Sequence, residues 1–198
     1  VVTIWGGQLF LAGLPLIFVF GLVGLGVAGL AAGYSFMPHV RDRIDRFLDP
    51  ASGDSYQVDT ALRAFESGGL LGRGPGEGIV KDVLPDAHSD FIFAVAGEEF
   101  GLIACLLLMG FFAFVALRGF TRMAGERDLF IMLAVAGLLI QFAAQAIVNM
   151  GVSLSLLPST GMTLPFVSYG GSSLLGMAIG MGMMLALTRR RPEHGRKT

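Results

Sequence analysis

The chain alternates long apolar blocks with short polar punctuation. Residues 1–40 contain no Asp, Glu, Lys or Arg. One straight helix of that length would measure about 60 Å, twice the hydrocarbon core of a bilayer. A break at Pro15 is therefore expected, with 1–12 the end of one crossing and 15–37 a full crossing. Gly29 and Gly33 form a small-xxx-small pair suited to close helix packing. Three further blocks, 91–117, 129–149 and 172–188, are long and apolar enough to span. The pattern predicts an all-α, polytopic transmembrane helical bundle.

Basic residues orient such blocks. Arg41, Arg43 and Arg46 form one cluster, and Arg118, Arg122 and Arg127 a second. Arg189, Arg190, Arg191, Arg196 and Lys197 form a basic tail. Eleven of the 14 Lys and Arg residues fall in these three places, which assigns all three to the cytoplasmic side. The uncharged stretch 150–171 then lies outside. Two clusters on one side require an even number of crossings between them. Block 91–117 supplies one, so a second is expected within 56–80, despite Asp59, Arg63, Glu66 and many glycines. Such a crossing must turn its polar face to protein or to a water-filled cavity. A surface-lying amphipathic helix is the alternative, and it would break the parity. With the crossing in place, 73–90 is an extracytoplasmic loop dense in charge: Arg73, Glu77, Lys81, Asp82, Asp86, His88 and Asp90.

Composition agrees. The chain is 54% hydrophobic and only 15% charged, where a soluble domain carries about a quarter charged residues. Mean hydropathy is +0.70. A net charge of −1 gives no electrostatic footprint for nucleic acid. The single cysteine, Cys105, lies in an apolar block and excludes an internal disulfide framework. No signal-peptide pattern opens the chain. It starts directly in apolar sequence and reads as the C-terminal part of a longer protein, with residues 1–188 a transmembrane domain and 189–198 a basic cytoplasmic tail.

Charged loop residues beside a membrane cavity are the strongest candidates for chemistry. Asp90 sits where the loop meets the apolar run that follows. It suits an N-cap, accepting backbone N–H bonds at the positive end of a helix, and it equally suits catalysis at the membrane interface. Glu98 and Glu99 lie about two turns deeper. At 100° per residue Glu98 falls about 80° from Asp90 and Glu99 about 180°, so Glu98 shares the Asp90 side. A pair with Arg63, a helix-end contact, or an active-site role all fit Glu98. Gln141, Gln145 and Asn149 recur at i, i+4 and i+8 as a polar stripe, for interhelical hydrogen bonds or for lining a polar cavity. His88 is two residues from Asp90, but a lone histidine is not a metal site. His39 and His194 read as solvated. The glycine run from Gly68 to Gly78 follows no strand and matches neither nucleotide-binding pattern. Ser168 to Ser172 is not a nucleophile elbow.

Two long stretches carry a resemblance. Leu84-Pro85-Asp86-Ala87-His88-Ser89-Asp90-Phe91-Ile92-Phe93-Ala94-Val95-Ala96-Gly97-Glu98-Glu99 resembles the first signature of the SEDS family of peptidoglycan glycosyltransferases, the FtsW/RodA proteins. Leu157-Pro158-Ser159-Thr160-Gly161-Met162-Thr163-Leu164-Pro165-Phe166-Val167-Ser168-Tyr169-Gly170-Gly171-Ser172-Ser173 resembles the second, in the expected order. Arg41-Asp42-Arg43-Ile44 with Phe47-Leu48-Asp49-Pro50 also fits, so the likeness covers nearly the whole chain. Thr163 before Leu164-Pro165 is similar to the division branch, FtsW. Ser89 stands where Thr is usual, and Thr160 where division members often have Lys.

The resemblance implies about the last five to six helices of a ten-helix fold in the bacterial cytoplasmic membrane, with a cytoplasmic C-terminus. It implies polymerisation of lipid II into β-1,4 glycan strands during cell division, with the family's essential loop aspartate at Asp90. Lys81, Arg73, His88, Glu98, Gln145, Asn149, Ser168 and Ser172 become candidates for substrate binding. A divalent cation, Mg or Mn, is a candidate cofactor, with Asp90 as its ligand instead of general base; no organic cofactor is implied. The implied partners are lipid II, membrane lipid, a class B penicillin-binding protein and other division proteins. A transporter that flips a lipid-linked sugar, or a non-catalytic scaffold, are the readings from other classes.

Overall fold

A computed structural model describes residues 4, 6–8, 13, 16–48, 56–126, 128–158 and 160–189, and among them it contains helices and turns but no strand. The elements are α1 (Leu16–Phe36), α2 (Pro38–Leu48), α3 (Tyr56–Gly68), a 3₁₀ turn (Val80–Asp82), α4 (Ile92–Met123), α5 (Leu129–Ser153) and α6 (Gly171–Leu187). Pro15, most of 1–12 and the tail beyond Arg189 lie outside the described residues.

The apolar blocks emerge as α1, α4, α5 and α6, close to their expected bounds. Helix α4 runs six residues beyond the expected end at 117, and α5 four beyond 149. Only 17% of the most apolar stretch of α4 is buried, so this is a lipid-facing helix and not the core of a soluble domain. Asp128 starts α5 by accepting the N–H groups of Phe130 and Ile131 at 2.8 and 3.3 Å. Helices α4, α5 and α6 close on a shared core of Phe93, Cys105, Phe112, Phe142 and Met177. Gly29 and Gly33 do not form the expected helix seam. Among the described residues no heavy atom lies within 4 Å of a side chain built at Gly29, and Gly33 meets Val40 of α2.

The segment 56–91 differs from expectation in an instructive way. Helix α3 has 13 residues, about 20 Å, too short for a full crossing. Its first turn lies at the Asp90 end of the molecule. The Tyr56 hydroxyl donates to the Val83 carbonyl at 3.3 Å, and Gln57 lines a cavity with Asp90. Its last residue, Gly68, lies against Gly97 and Glu98, where a side chain would stand 2.0 Å from the Gly97 carbonyl oxygen. The chain therefore descends along α4 for roughly two turns, reverses, and climbs back to Asp90. It is re-entrant, neither a crossing nor a surface helix.

The parity argument falls with it. Gln8 donates to the Leu133 carbonyl near the start of α5 at 3.2 Å, and Gly6 lies against Leu22, so the 21-residue α1 starts at the Arg118 end and delivers α2 to the other. Arg41, Arg43 and Arg46 thus belong to the Asp90 end. Arg118 and Arg122, in the last turns of α4, and Arg189, just past α6, share the opposite end. Stretch 150–171 returns to the Asp90 end, as its lack of charge suggested.

The reversal is possible because α4 is broken. Gly101 has φ 79° and ψ −178° inside the helix. Leu102 and Ile103 donate instead to the carbonyls of Gly69 and Leu70, at 2.9 and 3.3 Å, while the freed carbonyls of Glu98 and Glu99 accept from Arg73 and Gly74, at 2.9 and 3.0 Å. The re-entrant backbone is spliced into the helical ladder, so these four groups at the break find partners. A side chain at Gly101 would stand 2.4 Å from the Gly72 nitrogen; only glycine fits.

Candidate active site at the mouth of the re-entrant loop

Asp86, at φ 53°, starts a tight turn in which its carbonyl accepts the N–H groups of Ser89, Asp90 and Phe91 at 3.1, 3.0 and 3.3 Å. The residue at the cap position of α4 is Phe91, with no side-chain hydrogen bond to the helix. Asp90 is therefore not an N-cap, and its carboxylate is left for other work. It is partly exposed and borders a cavity of about 160 Å³ with Gln57, Phe91, Val152, Thr160, Gly161 and Met162. Burial pushes the Asp90 carboxyl above its ordinary value of 3.8; the nearby Asp86 charge adds to this and a hydrogen bond from Ser89 opposes it.

Two loops are stitched together around this carboxylate. Asn149 is buried and its Nδ2 donates to the Asp90 carbonyl at 2.8 Å and to the Met162 carbonyl at 2.6 Å. The Ser168 hydroxyl donates to the Ser89 carbonyl and accepts the Leu164 N–H at 2.7 Å. The Tyr169 N–H donates to the His88 carbonyl at 2.9 Å. Gln145 Nε2 donates to the Thr163 carbonyl at 3.0 Å. The two signature stretches are thus one structure. Of the polar stripe, Gln145 and Asn149 hold loop 160–164, while Gln141 lines a separate cavity beside α6.

The remaining candidates are spread around this centre. His88 is exposed, as is Ser172 in the first turn of α6. Arg73 is exposed and its Nε donates to the Ser67 carbonyl at 3.3 Å. Lys81 is ion-paired with Glu99. Glu98 has no exposed surface and is filled by protein donors: the N–H groups of Ile79, Val80 and Lys81 at 2.8, 2.9 and 3.0 Å, and the Ser67 hydroxyl at 3.4 Å. None of Arg73, Lys81, Glu98 or Ser172 borders the Asp90 cavity. Gln57 does, and it was not among the sequence candidates. The signal was available: Gln57 continues the face of α3 that buries Thr60, Ala61, Ala64 and Gly68.

Among the described residues no three His, Cys, Asp or Glu side chains converge as a cation cage.

These features define a helical membrane protein with a re-entrant loop that presents one uncapped aspartate at the mouth of a polar cavity. Residues 1–193 match the family described as "Cell cycle protein", FTSW_RODA_SPOVE, and the chain belongs to that family. It is 46% identical over 188 residues to the "Probable peptidoglycan glycosyltransferase FtsW" of Caulobacter vibrioides, covering 95% of this chain and 48% of that protein. It is 41% identical over 199 residues to the protein of that description from Saccharophagus degradans, covering 97% and 51%. The chain thus spans about half the length of these relatives. Among solved structures it is similar to a chain of a peptidoglycan synthase complex that coordinates polymerization and crosslinking, with TM-score 0.71, 29% identity and coverage of 94% and 53%. It is also similar to a point mutant of the rod shape determining protein RodA of Thermus thermophilus, with TM-score 0.59, 26% identity and coverage of 97% and 49%.

Proposed function

We propose that this chain is the part of a lipid II polymerase that carries the catalytic base, and that the base is Asp90. The observation that carries the reading is the uncapped Asp90 carboxylate, held at a polar cavity by the Asn149 and Ser168 stitches and raised in pKa by burial. A base of this kind takes the proton of the GlcNAc 4-hydroxyl of one lipid II. That oxygen attacks the anomeric carbon of the donor strand, and undecaprenyl pyrophosphate leaves. A β-1,4 bond forms with inversion. A positioned base contributes about 10²–10⁴-fold. Arg73, exposed on the re-entrant loop but outside the cavity lining, would have to reach over to meet the leaving pyrophosphate. In the alternative role Asp90 would hold a Mg or Mn ion together with phosphate oxygens, which would supply charge neutralisation in place of proton abstraction. Gln57 and Thr160 would orient the sugar against Asp90.

In this reading the Asp90 end faces outward. Arg118, Arg122 and Arg189 face the cytoplasm, as the positive-inside tendency requires of basic residues flanking α4 and α6. The partner is a class B penicillin-binding protein, acting in division with other septal proteins. Asp90→Ala in the full-length protein with its partner tests the assignment. Polymerisation of lipid II should fall at least about 10²-fold, while partner binding persists. Retained polymerisation would reject Asp90 as base. Lost translocation in vesicles with polymerisation intact would favour a flippase.

A further inference from the structure

Glu98 is a buried carboxylate about two turns from Asp90 that does not line the Asp90 cavity and is used by nothing in the chemistry above. A bare charge there is costly, so its surroundings explain its presence. Three successive backbone N–H groups, from Ile79, Val80 and Lys81, converge on its two oxygens, with the Ser67 hydroxyl as a fourth donor. The main-chain carbonyl of the same residue accepts from Arg73. Its neighbour Glu99 takes Lys81 through the side chain and Gly74 through the main chain. One turn of α4, beside the Gly101 break, thus grips the re-entrant segment at both its entry, 73–74, and its return, 79–81.

What lies beyond the return is the Asp90 turn. Val80 packs against a cluster of Ala61, Ala64, Leu84, Ala87 and Phe91. The turn held by Glu98 therefore sets the register of the strand of residues that ends at Asp90. We propose that Glu98 is a positioning residue: it latches the 79–81 turn and so places the Asp90 carboxylate, without touching substrate. The proposal rests on Asp90 being the base, and it deepens that reading by naming what aims it.

The chemistry of the latch is specific. A carboxylate accepts all four donors. A glutamine keeps one acceptor oxygen but turns an NH₂ toward an N–H donor. Aspartate keeps the charge and pulls it back by about 1.5 Å.

Hydrogen–deuterium exchange of the full-length protein in nanodiscs reads the latch directly. In the wild type the amides of 79–81 should exchange slowly. In Glu98→Gln they should exchange fast, while those of residues 105–120 in α4 stay protected. In Glu99→Gln, which loses only the Lys81 pair, the 79–81 amides should stay slow. Polymerisation by Glu98→Gln should lose about ten- to a hundredfold in kcat with KM for lipid II unchanged, the split expected when the reacting group is misplaced but binding is not. Glu98→Asp, the milder change should Gln unfold the protein, is expected to fall between wild type and Glu98→Gln in both readouts. Slow 79–81 exchange in the Glu98 variants overturns the latch. Fast exchange with undiminished kcat overturns the positioning role, as does a raised KM with kcat intact. Asp90→Asn assayed alongside separates the two ideas: if it stays active, the base assignment fails while the exchange result still judges the latch.

Discussion

Asp90 is placed by backbone contacts, and its side chain takes a hydrogen bond from Ser89 without capping α4. The Asn149 amide holds its carbonyl and the Ser168 hydroxyl holds that of Ser89. This arrangement has a stability consequence whose sign can be worked out. Burial and Asp86 raise the folded-state pKa of Asp90 above its ordinary value. A carboxyl raised on folding stabilises the fold when protonated, and that contribution is lost as pH rises through the folded pKa. Asp90→Asn should therefore melt higher than wild type at pH 7, with the gap closing below about pH 4, where both are neutral. Thermal melts across that range check it, and a variant less stable than wild type at pH 7 would contradict the burial argument. Asn149 makes the complementary case. Replacing it by Ala leaves two part-buried carbonyls without this donor, at up to roughly 1–3 kcal/mol each. Asn149→Asp should be worse, because a carboxylate would face those same two oxygens; denaturant melts of both variants rank them.

At the scale of elements, hydropathy made α1, α4, α5 and α6 legible because each is a continuous apolar run. The same index failed at 56–91 for a physical reason. A re-entrant segment satisfies its backbone against a neighbouring helix, so it carries no apolar run of spanning length, and its charges, such as Asp59, Arg63 and Glu66, sit on an exposed face. Counting crossings by charge then forced a span where none exists. The glycine run was legible as no nucleotide loop, but its partner was not: that Gly68 and Gly72 abut the α4 backbone at 97–100, and Gly101 that of Gly72 and Leu70, is tertiary information. Gly101→Ala tests the splice. The positive φ alone costs about 1–2 kcal/mol for a residue with a Cβ, and the new methyl would overlap Gly72 and Leu70. The expected result is a continuous α4 with the loop expelled, seen as fast amide exchange over 69–74 and retained protection in the rest of the helix. Unchanged exchange over 69–74 would show that the break does not depend on glycine.

At the scale of the whole molecule, the two signature stretches were readable as specific, while their contact was not. Asn149 and Ser168 come from different elements and meet Asp90 and Ser89 only because α5 and the loop after it return to the same end. The re-entrant segment also rewrites the orientation of the chain. Helix α1 starts beside Leu133 of α5 and is long enough to cross, so α2 lies at the Asp90 face and its arginines stand opposite Arg118 and Arg122. Charge alone would put all of them together; the apolar length of α1, which must be buried in hydrocarbon, outweighs it. Single cysteines decide between the two. Asp42→Cys and Asp86→Cys should both react with a membrane-impermeant thiol reagent on intact cells, Arg122→Cys should react only after lysis, and Cys105, buried in the helical core, should stay silent throughout. Labelling of Asp42→Cys together with Arg122→Cys would restore a crossing between α2 and Asp90. The placement of α2 at the Asp90 face would then have to be abandoned, while the splice at Gly101 and the latch at Glu98 stay with their own exchange experiments.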